Sequence, residues 1–244
     1  MTIEDFSNTF DIFYNNLMSD RAPEVNDYEK SMLLTLAQED IVKELYNRAF
    51  EGSEQARRSL DALITRDLID PAKDNSEEKI YGAKMRRTVF DLPEKLWYIL
   101  RETVRVSEDG SCLYGNYIMV RPERLDDLTY DLGNPFRGPS SGHLAIRLDI
   151  GGDRKTKSVE IITRDEIDKY SLTYLRRPRP ILLADFSDDS VYDQIHIRGV
   201  DTFKDEVDNY DQTDLKAEPC ELSETIQMDI VTKAVMFAKA AFAS

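Results

Sequence analysis

Apolar residues recur at helical spacing near the start of the chain. Phe6, Phe10, Phe13, Tyr14 and Leu17 fall on one side of a single amphipathic helix. Ala22-Pro23 breaks that helix. Asn26 then stands three residues before Glu29, a capping-box arrangement just ahead of a second, longer periodic run through Tyr28, Met32, Leu33, Leu36, Ile41, Leu45 and Tyr46. Gly52-Ser53 ends or bends this helix, and Ser53 is placed to cap a third through Ala56, Leu60, Leu63 and Ile64.

After Asp70-Pro71 the pattern changes. Residues 73–79 are polar and predict an exposed loop. From Thr88 onward the period is two. Trp97-Tyr98-Ile99-Leu100 leads into the alternating Glu102-Thr103-Val104-Arg105-Val106, and Tyr117-Ile118-Met119-Val120 is a short apolar strand. Residues 145–150 and 158–162, separated by a loop opening on Gly151-Gly152, predict a hairpin. Leu172–Leu175 and Ile181–Leu183 flank Pro178 and Pro180, and His196–Val200 predicts a last strand. A short helix from Glu123 to about Leu132 interrupts this zone before Gly133-Asn134-Pro135.

From Glu218 to the end the period returns to that of a helix. Leu222, Ile226, Ile230, Val231, Ala234, Val235, Phe237, Ala238, Ala241 and Phe242 form an apolar stripe broader than one packed face needs. The expected fold is therefore α+β. A bundle of the N-terminal helices (1–70) is completed by a C-terminal helix (218–244), and an antiparallel β domain (71–217) is inserted between them. Surface left over on the last helix is a candidate contact for a neighbour, which marks Leu222, Ile226, Ile230 and Phe237 as interface candidates.

Charge narrows the function classes. The 244 residues carry 32 basic and 47 acidic side chains, a formal net charge of −15. Such a chain does not hold nucleic acid through its overall field, because phosphate binding is driven by Lys and Arg, and adhesion to an anionic membrane is disfavoured for the same reason. No apolar stretch approaches the ~18 residues of a spanning helix. The first residues lack the basic and apolar regions of a secretion signal. Cys112 and Cys220 lie far apart with no CxxC, so a zinc framework is excluded and a disulfide is not expected.

Motifs of catalysis are missing: the sequence holds no Walker loop, GxGxxG, HExxH, GxSxG or EF-hand loop. Asp185, Asp188 and Asp189 have the charge for a divalent ion but neither the spacing nor the glycine of a calcium loop, and an exposed acidic turn is the plainer reading. Ser140-Ser141-Gly142-His143 lacks a recognisable acid partner and oxyanion hole. His196 and Cys112 read as structural. Cys220 precedes a helix, where a thiol pKa can fall, yet no histidine is near it in sequence. No catalytic, cofactor-binding or metal-binding residue is assigned.

Three basic clusters stand out: Lys84-Met85-Arg86-Arg87, Arg154-Lys155-Thr156-Lys157 and Arg176-Arg177-Pro178-Arg179-Pro180. They read either as solvated strand ends or as docking points for acidic surfaces. The third removes two backbone donors through its prolines, which suits an edge strand or bulge. Arg176, Arg177 and Arg179 are accordingly further interface candidates.

Several segments together resemble a known group. Phe10–Asn16, Ala22-Pro23, Tyr28–Ser31, Ala37-Gln38, Phe50–Glu54, Tyr174–Ile181 and Cys220 through Ala241 are similar to head-to-tail connector or tail-ring proteins of short-tailed phages, especially crAss-like phages of gut Bacteroides. More distantly the layout resembles podoviral adaptor proteins. The resemblance implies a structural virion protein and no enzyme, without a cofactor. It implies a ring, usually of twelve copies, beneath the portal vertex. Its partners would be other copies of itself, the portal protein or adjacent tail rings, and genomic DNA passing through without specific binding, with no membrane. The location implied is the virion tail or head–tail interface, and the host cytoplasm during assembly. A carboxylate-dependent hydrolase or nuclease and a module binding a host protein are the competing readings.

Overall fold

The computed structural model describes residues 1–17, 24–72, 76–80, 83–107, 116–123, 143–151, 157–184 and 220–242. The chain is mixed α+β and divides into two compact units. One is Met1–Leu63 with Pro178–Ser244, and the other is Ile64–Arg177.

The first unit is helical, with four helices among the described residues: α1 (Ile3–Leu17), α2 (Asp27–Phe50), α3 (Glu54–Leu60) and α4 (Glu224–Phe242). Phe6, Phe10 and Tyr14 are buried along one side of α1, as their spacing predicts, and the rings of Phe10 and Tyr14 stack 5.9 Å apart. The capping box is present. The Asn26 side chain accepts from the Glu29 N–H at 2.8 Å, and the Glu29 carboxylate accepts from the Asn26 N–H at 3.0 Å. Gly52 follows α2 at φ 105, a left-handed conformation that suits glycine at a helix end. Ser53 then caps α3 by accepting from the Ala56 N–H.

The helical reading of Ile64 is corrected. α3 tightens into a 3-10 turn at Asp61–Leu63, and Ile64–Ile69 leaves it as a strand. Thr65 follows the β-branched Ile64 here, and such pairs favour the extended chain.

The second unit is one eight-stranded sheet in the order β1-β8-β4-β5-β6-β7-β3-β2. Its strands are β1 (Ile64–Ile69), β2 (Ser76–Ile80), β3 (Ala83–Asp91), β4 (Leu96–Ser107), β5 (Asn116–Pro122), β6 (Leu144–Gly151), β7 (Ser158–Thr163) and β8 (Glu166–Arg176). The expected hairpin is there: Arg147 faces Ile161 and Asp149 faces Val159 in an antiparallel pair. Two expectations change. Residues 76–80 form strand β2 on β3 and not a loop. The sheet is also not purely antiparallel, because β5 and β6 run parallel. Residues 123–143 connect those two strands, a length sufficient for the crossover that parallel pairing requires.

The sheet curls. Phe90 on β3 and Tyr170 on β8 place their ring centroids 5.2 Å apart. Four strands separate β3 and β8 in hydrogen-bonded order, which would hold them about 24 Å apart if the sheet were flat. Three register shifts in β4 against β8 supply part of the bend. The Ala72 N–H donates to the Val89 carbonyl at 2.9 Å, so the chain leaving β1 crosses to β3. Phe90, Val104, Val106, Ile118, Val120, Val159, Ile161, Ile167, Tyr170 and Leu172 fill the concave side.

The strand expected at 196–200, the helix at 123–132, Ser140, Ser141, Cys112, and Asp185, Asp188 and Asp189 lie outside the described residues, apart from Glu123.

Candidate assembly surface

The segment Arg176–Pro180 is where β8 ends and the chain returns to the helical unit. Its prolines fall on alternate positions, and alternate backbone N–H groups from Arg177 to Leu183 find acceptors. Arg177 donates to the Lys95 carbonyl at 3.1 Å within the sheet unit. In the helical unit, Arg179 donates to the Glu221 carboxylate at 2.7 Å, Ile181 to the Thr35 hydroxyl at 3.1 Å and Leu183 to the Ser31 hydroxyl at 3.0 Å. The two positions lacking a donor are Pro178 and Pro180, both buried. This stretch is an extended strap, hydrogen-bonded along α2 by side-chain hydroxyls in place of a neighbouring strand. The Arg179 side chain is exposed, while Arg176 and Arg177 are half-buried.

Ser31 and Thr35 stand one turn apart, which is why two hydroxyls on one helix meet a strap whose donors alternate. Sequence periodicity missed them, because polar residues do not register as core. Lys30 escaped the same way. It is 6% exposed, and its ammonium donates to Asp11 at 2.7 Å and Ser7 at 3.1 Å, tying α1 to α2.

α4 packs on α1 and α2. Of its candidate residues, Leu222, Ile226 and Ile230 are buried within the helical unit, at 2%, 5% and 0% exposure, and Phe237 is half-buried. Gln227 organises the approach to this helix. It accepts from the N-terminal ammonium at 2.8 Å and donates to the Leu222 carbonyl at 2.7 Å. Cys220 sits beneath. Burial pushes its thiol up to about 11, which fits an inert buried residue and not an activated thiol at a helix start.

Along the outer side of α2 and α4, Lys233 meets Asp40 at 2.7 Å and Glu44 at 2.5 Å. Burial opposes its charge, yet the two carboxylates hold its pKa above the ordinary lysine value. A shallow cleft of about 180 Å³ continues past it, lined by Ile41, Leu45, Arg48, Ile226 and Asp229. This ordering shows that α2 and α4 run antiparallel.

Met32 and Leu36, expected to help mark the apolar side of α2, point outward at 39% and 40% exposure. The packed sides are carried instead by Leu33, Leu34, Ala37, Ile41 and Val42, together with Ser31, Thr35 and Gln38.

Among its described residues the sheet unit holds a largely buried ionic group. The Arg147 guanidinium donates to Glu102 at 2.5 Å, and the Tyr170 hydroxyl donates to the other carboxylate oxygen at 2.7 Å. Burial and then the Glu102 charge raise the Tyr170 pKa strongly, so its hydroxyl stays a donor. This arrangement is a clamp between strands. In the first basic cluster, Arg86 pairs with Glu166 at 2.6 Å and Arg87 with Glu160 at 3.7 Å. Of the second cluster only Lys157 is described, and it is exposed. His143 is exposed at the start of β6. Among the described residues no cluster of His, Cys, Asp or Glu is disposed to hold a metal, and no helix is long and apolar enough to cross a membrane.

Helices strapped by buried hydroxyls, a curled sheet clamped by an internal ion pair, and apolar side chains left outward on α2 define a protein of surfaces and packing. Its sequence matches the model of the phage tail ring protein 3/4 family over residues 1–244, and the chain belongs to that family. It is 32% identical over 251 residues to Ring protein 4/5 of Bacteroides phage crAss001, covering 99% of this chain and 94% of that protein. It is 29% identical over 250 residues to Ring protein 3 of the same phage, covering 98% and 95% respectively.

Proposed function

We propose that this chain is a structural, non-catalytic subunit whose copies, twelve in number, close into a ring between the portal and the tail, with the genome passing through the ring unbound. The observation that carries the reading is the family match over the whole length, joined to relatives that are themselves ring proteins. In this reading the helices from the two ends of the chain form one bundle, and the sheet unit is an insertion in it. A ring of identical chains is built from head-to-tail contacts that close on themselves, so each copy presents two different faces.

Charge supports the unbound genome. Twelve copies would carry twelve times the −15 of one chain, and each phosphate held by Lys or Arg would instead add to the barrier against DNA exit. One phage encodes two proteins similar to this chain, which favours a neighbouring ring of related sequence as a partner alongside the portal. Arg176, Arg177, Arg179 and Phe237 are the positions proposed for contacts between copies or rings.

Native mass spectrometry of the purified chain is the test. A single discrete mass near twelve subunits is expected, with poor binding of duplex DNA at physiological salt. Charge reversal of Arg176 and Arg177 to Glu should weaken the ring. Tight DNA binding that this double reversal abolished, with oligomer size unchanged, would replace the ring contact with a DNA clamp.

A further inference from the structure

From Lys30 to Glu39 on α2 every residue is buried except Met32 and Leu36. An outward ridge on a surface helix is normally polar, and here the two residues left open are both large and apolar. α4 extends the patch. Lys233 lies level with Asp40 and Glu44 in the antiparallel pair, so Met236, 58% exposed, comes within about a turn of Leu36. Glu29, Asp40 and Glu44 border the patch on α2, the last two paired with Lys233, a charged rim around an apolar centre.

The charge is divided unequally between the two units. The helical unit holds 27 acidic and 12 basic residues, which is the whole −15 of the chain, whereas Ile64–Arg177 holds 20 of each. Two helical units brought together would set two net-acidic units against each other. A neighbour's sheet unit brings no net charge, its 20 cations being matched by 20 anions. Like charges across a contact are costly, and complementary potentials fix which surfaces meet.

We infer that the Met32–Leu36 patch, with Met236 beside it, receives the sheet unit of a neighbouring copy, so that the head-to-tail contact joins one chain's helical unit to the next chain's sheet unit. This rests on the ring reading and assigns its two faces. Met and Leu centres ringed by charged side chains have the composition of an interface core and rim.

The test compares Met32→Lys/Leu36→Lys with Met32→Glu/Leu36→Glu in the full-length chain, by native mass spectrometry across a salt series. Circular dichroism melts should stay close to wild type, because both positions are exposed. Both pairs are expected to weaken assembly at least ten-fold, since each puts charge into the apolar centre of the contact. Wild-type rings with both variants assembling normally would overturn this inference and leave the ring reading standing. A wild-type chain that forms no ring would overturn both.

An independent arm places a benzophenone on Leu36→Cys in a Cys112→Ser background and maps the photo-crosslink. Crosslinks to residues 64–177 of another copy support the contact, and crosslinks confined to 1–63 or 178–244 overturn it.

Discussion

Single residues carry unusual weight where the protein buries charge. Glu102, Arg147 and Tyr170 come from three strands, and no one of them can leave without stranding another. Glu102→Ala should destabilise the chain by about 3–5 kcal/mol, the usual cost of leaving a buried partner charge unpaired. Tyr170→Phe removes one hydrogen bond only and should cost about 1 kcal/mol. Urea unfolding followed by tryptophan fluorescence reads both, since Trp97 lies on β4 of the same unit. Cys220 gives a pH dependence with a definite sign. Its folded pKa of about 11 lies above the ordinary thiol value of 9.0. The folded state therefore favours the neutral thiol, and the associated stability is intact below about pH 9 and falls as pH rises toward 11. Alkylation of Cys220, followed by peptide mass mapping, should be slow at neutral pH and accelerate only in denaturant. None of these residues was legible as a site in the sequence. Glu102 shares the parity of Val104 and Val106 and so falls on the inner face by alternation, but neither it nor Arg147 reads as a pair, because they lie 45 residues apart on different strands.

At the level of elements, the sequence served best where one physical signal dominates. The Asn26 capping box, the Phe6-Phe10-Tyr14 spacing of α1 and the β6–β7 hairpin were all legible, because capping chemistry and periodicity are local. β1 and β2 were not: both are short edge strands of mixed polarity, β1 pairing with the distant β8, and β2, though paired with its neighbour β3, being too polar to show a strand period. The outward side of α2 was misassigned at Met32 and Leu36 because apolarity alone does not reveal a helix covered on most of its circumference. The strap along that helix predicts its own test. Ser31→Ala with Thr35→Val leaves the Ile181 and Leu183 N–H groups without acceptors, at about 1–3 kcal/mol each, and thermal melting should show the loss. Truncation from Glu221 removes buried Leu222, Ile226, Ile230, Val231 and Val235. At ~1.5–3 kcal/mol for each large side chain, the loss is comparable to a whole domain's ~5–15 kcal/mol. The truncated chain should be recovered as aggregate in size-exclusion chromatography.

For the molecule as a whole, composition pointed to an acidic chain without catalytic motifs, and the residues shared with tail-ring proteins pointed to the family. The uneven sharing of charge stayed hidden until the unit boundaries were known, because a net −15 says nothing about which half holds it. Those boundaries have one more consequence. The chain enters the sheet at Ile64 and leaves it after Arg177, and Ile64 is paired with Leu175 across β1 and β8. Entry and exit are therefore adjacent, about 5 Å apart between paired backbones. A short Gly/Ser link in place of residues 64–177 should leave a soluble helical protein with an intact far-UV helix signal. A mostly unfolded product would show that the helices need the sheet. A segment with neighbouring ends behaves as a cassette: recombination between related tail genes can exchange it, or lengthen its loops, while leaving the two flanking stretches of coding sequence in frame and the helices they encode undisturbed.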